Sequence, residues 1–246
     1  MHMSDSLLSP AVGVAMCAVS IAANVYAVKK INKEDICKNK IQMTCAMSAF
    51  VFAAQMFNFT IPATGSSGHI IGGILLAAMI GNFPALLSIS AVLVVQCLFF
   101  ADGGLLALGC NIFNMGVIPC LLVYPLIFKP LVKNGMTLKN ITVASIASAV
   151  ASLQFGAFGV VLETQFSGIA TLPFSTFLSL MQPIHFAIGI AEGIITAAIL
   201  CVIYNTRRVA TVAFATMLVC VLSLFSSPYP DGLEWSIEKT KMYSER

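Results

Sequence analysis

A chain of 246 residues that is 59% hydrophobic and 9% charged, with a mean hydropathy of +0.94, is not an ordinary soluble globular protein. At ~20 residues per membrane crossing, eight helices take up about 160 residues, which leaves short loops and no sizeable aqueous domain. Thirteen Lys and Arg against ten Asp and Glu give a net charge of +3. The basic residues sit between apolar runs rather than along one stripe, so the charge reports topology in a lipid bilayer and nucleic acid is not an expected partner.

The first apolar run, Pro10 to Val28, has no Lys or Arg ahead of it, unlike a signal peptide. Lys29, Lys30, Lys33, Lys38 and Lys40 outnumber Glu34 and Asp35 in the loop that follows, so the positive-inside rule puts that loop in the cytoplasm and the N-terminus outside. A second span is expected over Ile41 to Ile61, returning to a turn-rich outer loop of Pro62, Gly65, Ser66, Ser67 and Gly68. His69 to Ile80 is apolar but only about a dozen residues long before Gly81-Asn82, and reads as a broken or re-entrant helix. Pro84 to Phe100 rises to the outer face, Ala101-Asp102-Gly103-Gly104 turns, and Cys110 to Phe128 descends to Lys129, Lys133 and Lys139. Ile141 to Leu162, Thr176 to Tyr204 and Val209 to Phe225 complete eight segments with both termini outside, and Arg207-Arg208 joins the other basic clusters on the cytoplasmic side. Gly68-x-x-x-Gly72 and Gly189-x-x-x-Gly193 are small-residue spacings, read as close packing.

Seven of the eight cysteines (Cys17, Cys45, Cys97, Cys110, Cys120, Cys201 and Cys220) fall in apolar runs without any C-x-x-C spacing, where a free Cys acts as a small hydrophobe. The chain lacks G-x-x-x-x-G-K-[S/T], so an ATP-driven role needs a partner, and it lacks H-E-x-x-H and G-x-S-x-G, which argues against a protease or hydrolase. Its three histidines are His2, His69 and His185. Directly after Met1, His2 offers three nitrogens in sequence: the Met1 α-amine, its own backbone nitrogen and its ring Nδ1, which close adjacent five- and six-membered chelate rings. A fourth nitrogen from His69 would complete the square plane favoured by Ni(II) or Cu(II) over tetrahedral zinc. Initiator methionine is trimmed only ahead of a small residue, so Met1 is expected to persist. The residue types alone equally allow a disordered His2 and a helix-capping His69. His185 and Glu192, two helical turns apart, share one face of a span, either as functional groups or as a polar contact inside the bundle. Asn111 and Asn114 are placed to bond the Asp102 loop or to line a cavity.

Met1-His2-Met3-Ser4-Asp5-Ser6-Leu7-Leu8-Ser9-Pro10 resembles the opening of the CbiM/NikM family, the substrate-binding membrane subunits of energy-coupling factor (ECF) cobalt and nickel transporters. Gly65-Ser66-Ser67-Gly68-His69-Ile70-Ile71-Gly72-Gly73, Phe100-Ala101-Asp102-Gly103-Gly104-Leu105, Asn111-Ile112-Phe113-Asn114-Met115-Gly116 and the stretch from His185 to Glu192-Gly193 are similar to further signatures, in order. The resemblance covers residues 1 to about 206. It implies an all-α, polytopic S-component: a six-helix core with an extra N-terminal helix, about seven core transmembrane segments plus one C-terminal segment. It also implies that Met1, His2 and His69 hold Ni2+ or Co2+ as transported substrate, without an organic cofactor or catalytic residues. The expected partners are a transmembrane coupling (T) subunit and two cytoplasmic ATPases, in the plasma membrane of a prokaryote. Ser6 stands where the family usually has Gly, and Met3 where Ile is common; neither change removes a ligand. Residues 207–246 form a separate C-terminal unit, in which Ser227-Pro228-Tyr229-Pro230-Asp231-Gly232-Leu233-Glu234 looks like the start of a PDGLE domain, related to the small auxiliary subunit of these systems and ending before its second helix. Two other classes stay open: a metal-dependent intramembrane enzyme using His2, His69, His185 and Glu192, and a polytopic assembly protein without a ligand.

Overall fold

The computed structural model describes residues 1–31, 38–206 and 209–244. Its helices are α1 (Pro10–Lys30), α2 (Lys38–Gln55), α3 (Gly73–Ile80), α4 (Asn82–Phe100), α5 (Leu108–Leu131), α6 (Leu138–Ser167), α7 (Phe174–Thr206), α8 (Val209–Leu222) and α9 (Gly232–Ser244). Between α2 and α3, β1 (Phe59–Ile61) pairs antiparallel with β2 (Ser66–Gly68). Among the described residues, five helices are long and apolar enough to cross a bilayer: α1, α4, α5, α6 and Phe174–Ile203 of α7. Their outward faces carry bare apolar side chains such as Ile21, Phe99, Leu126, Phe166 and Phe186, as a lipid-facing surface requires. The architecture is therefore the all-α membrane bundle that composition demands.

Two segment boundaries differ from the sequence reading. The second span stops at Gln55 rather than Ile61, because Phe59-Thr60-Ile61 leaves the helix to form β1. Aromatic and β-branched residues suit a strand, and Pro62 with Gly65 at φ 72° supplies the turn back into β2. The segment from His69 starts irregular, and helix begins only at Gly73. Gly72 holds φ 77°, and a Cβ there would stand 2.7 Å from a Val51 methyl, so only glycine fits. The eight residues of α3 rise about 12 Å, far less than the ~30 Å of a bilayer core. After the break at Gly81, α4 continues as a full-length helix, which makes α3 and α4 a broken pair.

Helix starts follow local chemistry. Ser9 caps α1 through its Oγ, with Pro10 at the first helical position, and Thr137 caps α6 by accepting from the Asn140 N–H. Phe113–Phe128 of α5 winds as a wider π-type helix around Pro119 and Pro125, neither of which can donate a backbone hydrogen bond. The pair α6 and α7 packs closely at Gly189 and Gly193, where a Cβ would lie 2.9 Å from Val150 Cα and 2.5 Å from Ile146 Cα. Packing is thus the role of that Gly-x-x-x-Gly spacing.

The bundle has two chemically distinct ends. Lys29 and Lys30 close α1, Lys129 lies in the last turns of α5, and Lys133 and Lys139 flank the turn into α6. The N-terminal segment, the β-hairpin and the Asp102 loop gather at the opposite end, where Ala107 just before α5 donates its N–H to Asp5 Oδ1 at 3.0 Å. Lys33 and Arg207-Arg208 lie outside the described residues.

Candidate metal centre

The first residues are threaded into the bundle by backbone contacts. Met3 is fully buried; its N–H donates to Asn111 Oδ1 at 2.8 Å, and its carbonyl accepts from Asn111 Nδ2 at 3.1 Å and from Gly104 N at 2.9 Å. Asn111 thus pairs with the N-terminal strand instead of the Asp102 side chain, and Asn114 donates to Glu163 at 2.7 Å. Ser6 is exposed and shares a hydrogen bond with Ser4.

This threading buries the Met1 amine, which donates to Asp231 Oδ2 at 2.6 Å and to His69 Nε2 at 2.9 Å. With Nε2 accepting, the His69 ring proton sits on Nδ1 and donates to the Ile70 carbonyl at 3.2 Å. That backbone contact orients the ring and leaves the Nε2 lone pair aimed inward, the arrangement a ligating imidazole needs. The His2 ring stacks on His69 with centroids 5.1 Å apart. Its Nδ1 lies 3.3 Å from Asp102 Oδ1 and its Nε2 3.3 Å from Gln96 Oε1. Met1, His2 and His69 therefore meet in space. To chelate together with the amine, the His2 ring has to turn its Nδ1 from Asp102 toward Met1. Among the described residues no three His, Cys, Asp or Glu side chains form a ligand cluster by themselves, so the convergence depends on the terminal amine.

Burial and the neighbouring cationic amine push the His69 imidazole well below its usual value, with His2 adding to the effect. His2 is lowered by the same two causes, against Asp102 and Asp231. Both shifts favour the neutral imidazole, the form that a metal ion needs. Burial alone would raise Asp231, but the cationic amine beside it holds its carboxyl well below the ordinary carboxylate range. For stability, an unfolded chain takes up a histidine proton near pH 6.5 that the folded His69 refuses. Stability is therefore lost as pH falls through that window, while the Asp231 contribution is lost only at more acid pH. We expect the unfolding midpoint of metal-free protein in detergent to drop between pH 7 and pH 5, and to drop less in His69→Gln; equal slopes would refute this origin.

The loop after His69 is clamped from α7 and α2. Glu192 accepts from the N–H groups of Ile71 and Gly72 at 2.9 and 3.0 Å, and Gln55 Nε2 donates to the Ile71 carbonyl at 2.7 Å. Glu192→Ala would leave two buried N–H groups unpaired, at about 1–3 kcal/mol each. The expected result is a lower unfolding midpoint together with about 10- to 100-fold weaker metal binding, as for lost supporting contacts elsewhere; an unchanged affinity would dissociate Glu192 from the site.

Two cavities flank the cluster. On the outer side, His2, Gln55, Asn58, His69, Asp102, Asp231 and Glu234 border an open vestibule of about 350 Å³, whose carboxylates suit a cation. On the inner side, a space of about 10 Å³, room for one water, is lined by Met1, His69, His185 and Asp231 among others. His185 donates from Nδ1 to the Met181 carbonyl at 2.8 Å, and its buried Nε2 has no hydrogen-bond partner among the described residues. His185 and Glu192 thus do share one helix face, directed at the segment that carries His69. Sequence reasoning did not place Asp231, Gln96 or Gln55 here, because their approach depends on contacts between distant loops.

Residues 2–210 match the family described as "Cobalt uptake substrate-specific transmembrane region". The cobalt transport protein CbiM of Thermosipho melanesiensis is 29% identical over 222 residues, covering 85% of this chain and 88% of that one. A fused nickel transport protein, NikMN, of Rhodobacter capsulatus is 35% identical over 122 residues, 48% of this chain and 33% of its own length. Against such fused relatives the chain spans only part of a longer protein. Among solved structures, a truncated transition metal transporter superposes with a TM-score of 0.72 at 28% identity, covering 84% of this chain and 99% of that one. A second transition metal transporter reaches a TM-score of 0.70 at 26% identity over 89% of this chain. With a family match that runs through five membrane-length helices and takes in His2 and His69, the chain belongs to the cobalt uptake substrate-specific transmembrane family of cobalt and nickel transport proteins.

Proposed function

We propose that the protein is the substrate-specific subunit of an ATP-driven ECF importer, which captures Ni2+ or Co2+ at the outer membrane face through the Met1 amine, the His2 backbone and ring nitrogens, and His69. The observation that carries this reading is the buried Met1 amine 2.9 Å from the His69 Nε2 lone pair, beneath an acid-lined vestibule and against the stacked His2 ring. Neutral imidazoles and an amine are the borderline donors that both ions accept. Capture requires the Met1 amine and the His2 backbone N–H each to lose a proton to vestibule water, and the amine to exchange its contacts with Asp231 and His69 for one with the ion. Energy comes from partners, a T subunit and two cytoplasmic ATPases, with a small auxiliary membrane subunit as a further candidate. The chain itself is not an enzyme. Equilibrium binding by C-terminally tagged protein with a native Met1, paired with uptake assays in cells with and without the coupling partners, tests the reading. One ion per chain and uptake only with partners are expected; metal-dependent turnover by the chain alone would favour an intramembrane enzyme instead.

The same reading sets the orientation, with the chain in the prokaryotic plasma membrane, Met1, His69 and Asp102 outside, and Lys33, Lys133 and Arg207 in the cytoplasm. Single cysteines introduced into a Cys-free background and labelled from each side of intact cells should react from outside near Gly68 and from inside near Lys133. Cytoplasmic access beside Gly68 would overturn the direction of import.

A further inference from the structure

The segment after α8 returns across the metal centre and is stitched to the hairpin that carries His69. Asn58 donates its N–H to Ser226 Oγ at 2.7 Å and accepts from Ser227 N at 2.8 Å. Ser67 donates its N–H to the Pro230 carbonyl at 2.8 Å and its hydroxyl to the Tyr229 carbonyl at 2.7 Å. Trp235 Nε1 donates to the Thr64 carbonyl at 3.0 Å. These bonds fix the position of Asp231, which lies beyond the family match at residue 210. Asp231 Oδ1 accepts from Leu233 N and Glu234 N, both at 2.9 Å, and so caps α9, while Oδ2 points the other way to the Met1 amine at 2.6 Å and stands 4.0 Å from His69 Nε2.

Asp231 also has a particular place between the two cavities. It lines both the outer vestibule and the inner space, and His69 is the other residue that does so. An ion moving from the vestibule to a position shared by the Met1 amine and His69 Nε2 must come against Asp231 Oδ2. The amine and imidazole donors are neutral once the amine has lost its proton to water, and the deprotonated His2 amide supplies one negative charge, so a dication among them keeps one unbalanced positive charge in a buried setting unless a carboxylate is near. Nickel and cobalt ions take carboxylate oxygen as well as imidazole nitrogen.

Resting on the metal-capture reading above, we propose that Asp231 is an oxygen donor of the metal site, supplied by the C-terminal segment, which exchanges its contact with the Met1 amine for one with the ion as the site fills. The segment from Ser226 to Ser244 is then a lid carried by the chain itself: the carboxylate that holds the empty site together also holds the ion, and release requires this segment to let go. Glu234, which borders the vestibule but not the inner space, has no such part.

The test uses full-length protein with a native Met1 and a C-terminal tag, loaded with Co2+ or Ni2+. Asp231→Asn keeps the side-chain shape and the Oδ1 acceptor that caps α9, and replaces the charged Oδ2 acceptor with an NH2 donor that cannot bind a metal ion. Asp231→Glu restores a carboxylate one methylene longer. The expected results are at least tenfold weaker affinity and at least tenfold faster release to chelator for Asp231→Asn, a changed Co2+ absorption spectrum, and partial recovery of both in Asp231→Glu. Wild-type affinity, release rate and spectrum in Asp231→Asn would overturn the proposal, as would equal losses in both variants with an unchanged spectrum, which marks a purely structural role. Failure of the underlying site reads differently: wild-type protein then binds no metal, or His2→Ala binds as wild type does.

Discussion

One residue added ahead of Met1 is expected to weaken nickel or cobalt binding by at least about a hundredfold, roughly 2.7 kcal/mol, while the bundle still folds. The new peptide bond turns the amine into an amide, which removes a metal donor and the cation that pairs with Asp231 and His69. The added residue also has no room, since Met1 is 4% exposed and the inner space beside it is about 10 Å³. The rest of the N-terminal segment keeps its own anchors, the Met3 contacts to Asn111 and Gly104 and the Asp5 contact to Ala107, none of which needs a free amine. A modest fall in the unfolding midpoint accompanies the lost ion pair. Isothermal titration or chelator competition on proteins that differ only in the N-terminal extension decides the matter, and equal affinities would remove Met1 from the site.

The N-terminal half of the proposed site could be proposed from the sequence because its chemistry is local. The amine, backbone and ring nitrogens of Met1-His2 are joined by covalent geometry, so their chelating power does not depend on the fold. The loop that carries His69 was legible through the Gly-Ser-Ser-Gly that precedes it, which marks a turn, but its ring orientation depends on the Ile70 carbonyl and on Glu192 clamping Ile71 and Gly72 from another helix. Glu192 stood out as an ionisable group in a span. Its partner could not be read, because backbone N–H groups carry no sequence signal.

Asp231 illustrates the limit more sharply. In the sequence it belongs to a motif like the start of a separate domain, within a C-terminal unit expected over residues 207–246. In the fold its carboxylate meets the first residue, and its backbone lies beside Ser67 in an isolated bridge. Such contacts arise from loop hydrogen bonds between distant segments, and no hydrophobic period encodes them. The hairpin of β1 and β2 carries no clear sequence signal for a related reason: Phe59-Thr60-Ile61 continues the apolar run of α2, and hydropathy alone does not separate a short strand from the end of a helix.

Among substitutions at the centre, His2→Ala should lose the most metal, His69→Ala less and His185→Ala little. Removing the His2 ring breaks a chelate ring whose donor is tied to the backbone nitrogen beside it, and we expect about a thousandfold loss, roughly 4 kcal/mol. His69 is a single donor on a separate loop. In His69→Ala its place is open to water from the vestibule, and the unpartnered His185 Nε2 borders the same inner space, so the expected loss is about a hundredfold, roughly 2.7 kcal/mol. His185→Ala keeps every proposed donor and should bind within a few-fold of wild type, with its effect appearing in stability or in coupling to transport. In His69→Ala, a further His185→Ala change should then cost more than it does alone, because only there is Nε2 called upon as a substitute. A true nitrogen ligand must lie about 2.0–2.1 Å from the ion. A metal-loaded structure with His185 at that distance and His69 remote would reverse the assignment of the two rings, and the order of the two affinity losses would reverse with it.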